Sequence, residues 1–167
     1  MVEIFKIWER EIMAIWQYTF FILPKDSNFN YPQLLKDEEG LFDDSIFWEG
    51  CNFKCEFFSQ IESFLPKTKS WSKNILIYGD LESNVLEAQC EKNKIIGASF
   101  RINFTSEYED ILRELIEFFI LNGFVVLDEN LNEVPLNFES FKSIMESSPQ
   151  LRTYNLLLGS QNKNKEQ

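Results

Sequence analysis

The strongest constraint on the fold lies in residues 71–127, where strand, hairpin, strand, helix and strand patterns follow one another with hardly a spare residue. Asn74 to Tyr78 is a short apolar run, and Gly79-Asp80 and Ser83-Asn84 supply turn residues on either side of Leu81-Glu82. Two alternating stretches come next. In the first, Leu86, Ala88 and Cys90 share a face opposite Val85, Glu87 and Gln89. In the second, Ile96, Ala98, Phe100, Ile102 and Phe104 oppose Ser99, Arg101 and Asn103. A period of two is the signature of a strand with one face in the core.

These faces restrict the hairpin register. A two-residue turn at Lys92-Asn93 puts Leu86 across from Ser99 and mixes apolar with polar. An odd loop, Lys92-Asn93-Lys94, pairs Leu86 with Phe100, Ala88 with Ala98 and Cys90 with Ile96. The odd loop is the expectation, because a one-residue slip turns a whole strand inside out. Asn93 or Lys94 then takes the left-handed conformation, Asn more easily. On the opposite face Arg101 and Glu87 are placed for a diagonal ion pair across the strands, and that face is expected to be wet or covered by a polar element.

Ser106-x-x-Glu109 has the form of a capping box. Tyr108, Ile111, Leu112, Leu115, Phe118 and Phe119 then recur at helical spacing as far as Gly123, a left-handed C-terminal cap. Phe124 to Leu127 reads as a buried strand, reached by a parallel crossover.

Outside this block, Ile15 to Leu23 is an aromatic and β-branched strand closed by Pro24. Phe53 to Leu65 has helical spacing and stops at Pro66. Residues 1–12 form an N-terminal extension with helical spacing, and a short helix is expected over Gln33 to Glu38. Asn137 and Ser148-Pro149 are start signals for two further helices, the last stopped by Gly159. The expected architecture is one α+β domain over residues 13–159, a mainly antiparallel sheet of about five strands with helices packed on one face. Residues 160–167 are expected to be a disordered tail.

Several functions are disfavoured by composition. The chain has no His, which removes Ser-His-Asp and Cys-His nucleophile systems and His-ligated metal sites. Cys51 and Cys55 have no third or fourth ligand close by, so no metal is expected; with Cys90 they read as reduced, buried thiols of a cytoplasmic protein. The six Gly fall in no phosphate-binding pattern, so no cofactor is expected. A net charge of −11 argues against nucleic acid. The longest apolar run has nine residues, far short of the ~20 a membrane helix needs.

The charge is concentrated. Between Tyr31 and Pro66 there are eight acids and two bases, a difference of −6, over half the total. Aromatic residues sit among these acids, and rings beside carboxylates are what a surface for a basic protein partner offers, with rings as anchors and acids as steering charges. The candidate partner-binding residues are Asp37, Glu38, Glu39, Asp43, Asp44, Trp48 and Glu49. The competing reading is a solvated acidic loop whose aromatics turn into the core.

Trp16-Gln17-Tyr18 with Pro24-Lys25, Leu65-Pro66-Lys67 with Ser70-Trp71-Ser72-Lys73, Tyr78-Gly79-Asp80 with Ser83-Asn84, and Ser99 to Phe104 together carry a resemblance. Over residues 13–158 the chain resembles a family of small acidic bacterial proteins of the immunity-protein type, which neutralise the toxin of a polymorphic or contact-dependent toxin system by binding it. The resemblance implies a toxin-neutralising role with a cognate toxin domain as partner; the acidic charge makes the expected partner basic, and the expectation of reduced thiols makes the expected compartment cytoplasmic. It assigns no site residue. Two alternatives stand beside it: a hydrolase working through carboxylates, which needs two acids brought together in a cleft, and a non-catalytic scaffold or regulatory subunit.

Overall fold

A computed structural model describes residues 16–25 and 42–165, with side chains through residue 160. The helices expected over residues 1–12 and 33–38 lie outside the described residues. The chain forms a single α+β domain whose six-stranded sheet is antiparallel at every pairing, with helices packed against it. The strands are β1 (Gln17–Pro24), β2 (Lys67–Thr68), β3 (Ile75–Gly79), β4 (Val85–Glu91), β5 (Lys94–Asn103) and β6 (Phe124–Leu127), in the spatial order β2-β3-β4-β5-β1-β6. The helices are α1 (Ser45–Glu49), a 3-10 helix (Cys55–Ile61), α2 (Glu109–Asn122), α3 (Phe138–Glu146) and α4 (Pro149–Lys165). The sixth strand, two residues at the β2 edge, was too short to leave a periodic signal.

One face of the sheet is dry. Tyr18, Phe20 and Ile22 of β1 join Leu86, Ala88, Phe100 and Ile102 in a cluster closed by Leu112, Leu115 and Phe119 of α2 and by Phe141 and Met145 of α3. The rings are closely arranged: Phe20 stacks on Phe100 at 5.1 Å between centroids, and Phe141 and Phe119 approach that pair at 4.9 and 5.3 Å. Offset and edge-on packing of this kind adds to the burial energy of the rings. The central crossover has the expected sense, since β5 and β6 both run antiparallel to β1 and are therefore parallel, with β1 between them.

The hairpin solves its parity problem in an unexpected place. Leu86 pairs with Phe100 and Ala88 with Ala98 as the alternation requires, but Cys90 pairs with Ile95 and Glu91 with Lys94. The turn is therefore two residues, with Lys92 and Asn93 both at positive φ, and the odd residue, Ile96, is a bulge between Ile95 and Gly97. A bulge absorbs one extra residue while preserving both faces. Ile95 is the buried residue there and Ile96 only half-buried.

Four further expectations are corrected. The capping box does not form: α2 starts at Glu109 without a side-chain cap. Ser106 Oγ instead accepts from Asn84 Nδ2 at 3.0 Å and donates to the Asn103 carbonyl at 2.7 Å. The helical stretch before Pro66 is a 3-10 helix, which puts Cys55, Phe58 and Ile61, three residues apart, on one buried face. Cys55 and Cys90 are joined as a disulfide with Cα atoms 5.9 Å apart, so these two are not reduced thiols. The last helix runs past Gly159 to Lys165, so Gly159 does not stop it. Other start and stop signals hold: Asn137 Oδ1 accepts the Ser140 N–H at 2.9 Å, Ser148 Oγ accepts that of Leu151 at 3.2 Å, and Gly123 caps α2 at φ 68°.

Candidate functional site

The opposite face of the sheet is mixed, with Glu87, Gln89, Ser99 and Arg101 set among Ile75, Ile77 and Val85. Glu87 and Arg101 form the diagonal ion pair, 3.5 Å between Oε2 and Nη2. What makes a site here is a departure from regular pairing. The β1–β5 ladder ends at Phe21 and Ser99, after which β1 pairs only with β6. The first half of β5 is left without a strand on that side, and its N–H groups need acceptors.

The acidic stretch supplies them. Asp44 Oδ2 accepts the Ala98 N–H at 3.2 Å, the Phe53 carbonyl accepts the Ile95 N–H at 2.9 Å, and Lys54 bridges to Lys94. The Asp44 carboxylate can lie so close because residue 97 is glycine: a Cβ there would sit 2.9 Å from Oδ1. This is the close-approach role that a glycine inside a strand signals. Burial is the main influence on the carboxyl, raising its pKa to about 6 against the lowering effect of the Ala98 hydrogen bond. Asp43 is exposed, and hydrogen bonds from Ser45, side chain first, hold it below the ordinary carboxylate range.

Between this turn and the sheet lies a cavity of about 420 Å³. Asp43, Asp44, Phe42 and Phe21 line one side, Glu87, Gln89 and Ile75 line another, and Gly97, Ala98 and Ser99 line the rest together with Trp71. Trp71 is 66% exposed. Phe21 and Phe42 meet edge to face at 5.2 Å. Among the described residues no lysine or arginine lines the cavity, and no group of His, Cys, Asp and Glu could hold a metal ion.

The residues expected to bind a partner are thus divided. Asp43 and Asp44 meet at the cavity, and Glu49 is exposed at the end of α1. Trp48 is 1% exposed and cannot serve as a surface anchor; it packs against Phe53 and Phe124 at 5.7 and 5.8 Å. Its neighbour Phe47 enters a second, smaller cluster with Leu23, Val125, Leu127 and Leu131. Asp37, Glu38 and Glu39 lie outside the described residues. The contributions of Trp71, Gly97 and Gln89 were not anticipated. A glycine in an alternating strand was the available signal for Gly97; nothing local distinguished Trp71 in its polar turn.

Compared with protein-family models, with curated proteins and with solved structures, the chain matches none.

Proposed function

We propose that this protein is a binding protein of the immunity type that neutralises a basic toxin domain by covering part of its surface. The observation that supports it best is the acidic, aromatic-walled cavity beside Trp71, lined by no basic residue among those described. Carboxylates around such an opening steer a cationic partner, and aromatic groups give it something to bury against. The sequence resemblance adds the toxin; the cavity and the net charge of −11 add the sign of the partner.

The deciding experiment is co-expression with the product of the adjacent gene, scored for growth rescue and for a stable complex. Rescue with a complex is the expected result, and neither appearing would overturn the reading. In the complex, Asp43→Lys with Glu49→Lys should slow association and flatten its salt dependence, since both side chains are exposed.

Compartment is part of the same proposal. The described helices include none long and apolar enough to cross a membrane. The cytoplasmic expectation rests on reduced thiols, whereas a disulfide such as Cys55–Cys90 persists in oxidising compartments. Alkylation of thiols in intact cells before lysis separates the two.

One observation favours a second reading. Asp44 and Glu87 line the same cavity, and with its pKa at about 6 Asp44 could act as a general acid. Turnover of an ester, glycoside or phosphate substrate that disappears in Asp44→Asn would favour this hydrolase over the binding protein.

A further inference from the structure

We infer that residues 1–15 of this chain cover the exposed leucine face of α4, packing on it as an antiparallel helix. This goes beyond the binding reading above and does not rest on it. Leu156, Leu157 and Leu158 are 72, 49 and 43% exposed, three consecutive leucines on one helix. Side chains three and four apart share a side of a helix, so Leu157 and Leu158 continue the side on which Tyr154 meets Phe104, edge to face at 6.0 Å. That side is half-covered where Phe104 reaches it and barer one turn further on.

The path of the chain selects the occupant. Near its start α4 lies level with Thr19 of β1: Gln150 Nε2 donates to Glu129 Oε2 at 2.6 Å, and Glu129 Oε1 accepts the Thr19 N–H at 3.2 Å. One turn later it is level with the start of β1, since Phe104, against Tyr154, donates its N–H to the Trp16 carbonyl at 3.2 Å. Helix α4 thus runs against the direction of β1 and continues past the start of that strand to Lys165. The residues before Trp16 leave the sheet at that same end.

Their sequence suits the place. Phe5, Trp8, Ile12 and Ile15 recur at spacings of three and four, an apolar stripe that matches Leu151, Tyr154 and Leu158 of α4. Ridges of this spacing on two helices interdigitate. As helices, residues 4–15 and 154–165 are each about 16 Å long, so the two stripes have the same reach. Charge agrees: α4 has Arg152, Lys163 and Lys165 and no acid, whereas residues 1–15 have Glu3, Glu9 and Glu11 against Lys6 and Arg10. A tethered segment also outcompetes a second copy, because attachment at Trp16 gives it an effective concentration on the order of millimolar.

The test uses the full-length protein labelled with ¹³C and ¹⁵N. Nuclear Overhauser contacts between the Leu157 and Leu158 methyls and the side chains of Trp8 and Ile12 are expected. The Leu157→Asp, Leu158→Asp double variant should speed amide exchange over residues 4–12 about tenfold or more, as loss of two apolar contacts does. Because both leucines are exposed, exchange in β4 and β5 should not change, which serves as the control for folding. In the other direction, Trp8→Ala should move the Leu157 and Leu158 methyl resonances and leave those of the buried Leu86 and Leu115 in place. Absence of the methyl contacts, methyl resonances indifferent to Trp8→Ala, or exchange over residues 4–12 that ignores the double variant would overturn the inference. So would contacts that appear only between labelled and unlabelled copies in a mixed sample, which would give the face to a second copy of the chain.

Discussion

Leu86 and Glu87 are neighbours in β4, and so are Ser99 and Phe100 in β5, yet each pair divides between two different environments. Leu86 and Phe100 lie under α2 and α3, in a ring-packed apolar core. Glu87 and Ser99 border a cavity roofed by a turn that carries two carboxylates. The dry face is held by many contacts that tolerate no loss of volume. The other face has a smaller apolar cluster around Leu23, Phe47 and Leu127, a few polar contacts such as Asp44 on Ala98, and an opening between them. The difference teaches that the same alternation builds two unlike surfaces, a packed core on one side and a mixed, partly open face on the other, and that substitutions on the two faces should differ in size and in what they change.

The largest effect should come from the dry face. Phe100→Ala removes a ring that contacts Phe20, Phe119 and Phe141. It should cost about 3–5 kcal/mol in chemical denaturation while binding of a basic probe at the cavity is unaffected in whatever fraction stays folded. A loss under ~1 kcal/mol would mean that this face is not the tightly packed one. Next comes the disulfide, which ties the 3-10 helix to β4 across 35 residues. Closing a loop of that length should contribute about 3–4 kcal/mol through the unfolded state. The Cys55→Ala, Cys90→Ala double variant should therefore unfold at lower denaturant, and reduction of the wild type should reproduce the shift.

The contrast also explains what could be read from the sequence. The dry face was legible because burial imposes a period of two on a strand and of 3.6 on a helix, and both periods were intact from Leu86 to Phe119. Parity was legible too: Leu86 had to meet Phe100, so one residue was extra. Where that residue went was not, since a three-residue loop and a bulge at Ile96 both keep the apolar side chains inward. Ser106 was misread because its hydroxyl is taken by Asn84, 22 residues away, a competition invisible to a local motif. Trp48 was misread because its acidic neighbours suggested a surface, whereas the short α1 turns it toward Phe124. The cavity depends on Asp44 reaching a strand 54 residues later, and such a contact leaves only the isolated Gly97 as its mark.

A smaller effect, and one of opposite sign, is expected where the two regions join. The Asp44 pKa is raised on folding, so the folded state holds its proton more tightly than the unfolded chain. The stability it contributes is complete below the unfolded value near 4 and is lost as pH rises through about 6. Asparagine keeps an acceptor for the Ala98 N–H and carries no charge. Asp44→Asn should therefore be more stable than wild type at pH 7, by roughly 2–3 kcal/mol at most, with the advantage shrinking toward pH 4.5. Asp43, whose pKa is lowered, contributes stability that is lost only at pH below about 4, so the window from 7 to 4.5 isolates Asp44. A variant less stable than wild type at pH 7 would show that the Asp44 charge itself holds the turn down.

The smallest effect should come from Glu87 and Arg101. Their side chains retain 29% and 16% of their exposure, and they meet across the strands at 3.5 Å. A partly exposed diagonal pair of this kind is worth about 0.2–1 kcal/mol and weakens with salt. Glu87→Gln keeps the shape and an acceptor, so a double-mutant cycle with Arg101→Gln should return a coupling below about 1 kcal/mol that falls further in 1 M salt. A salt-insensitive coupling well above that would mean that the pair is sealed from solvent, as Arg101 Nε, buried and with no hydrogen-bond partner in the described structure, leaves open. The second face would then be a buried polar network rather than an open one. Glu87 would be committed to Arg101, and the acidity of the cavity would rest on Asp43 and Asp44 alone.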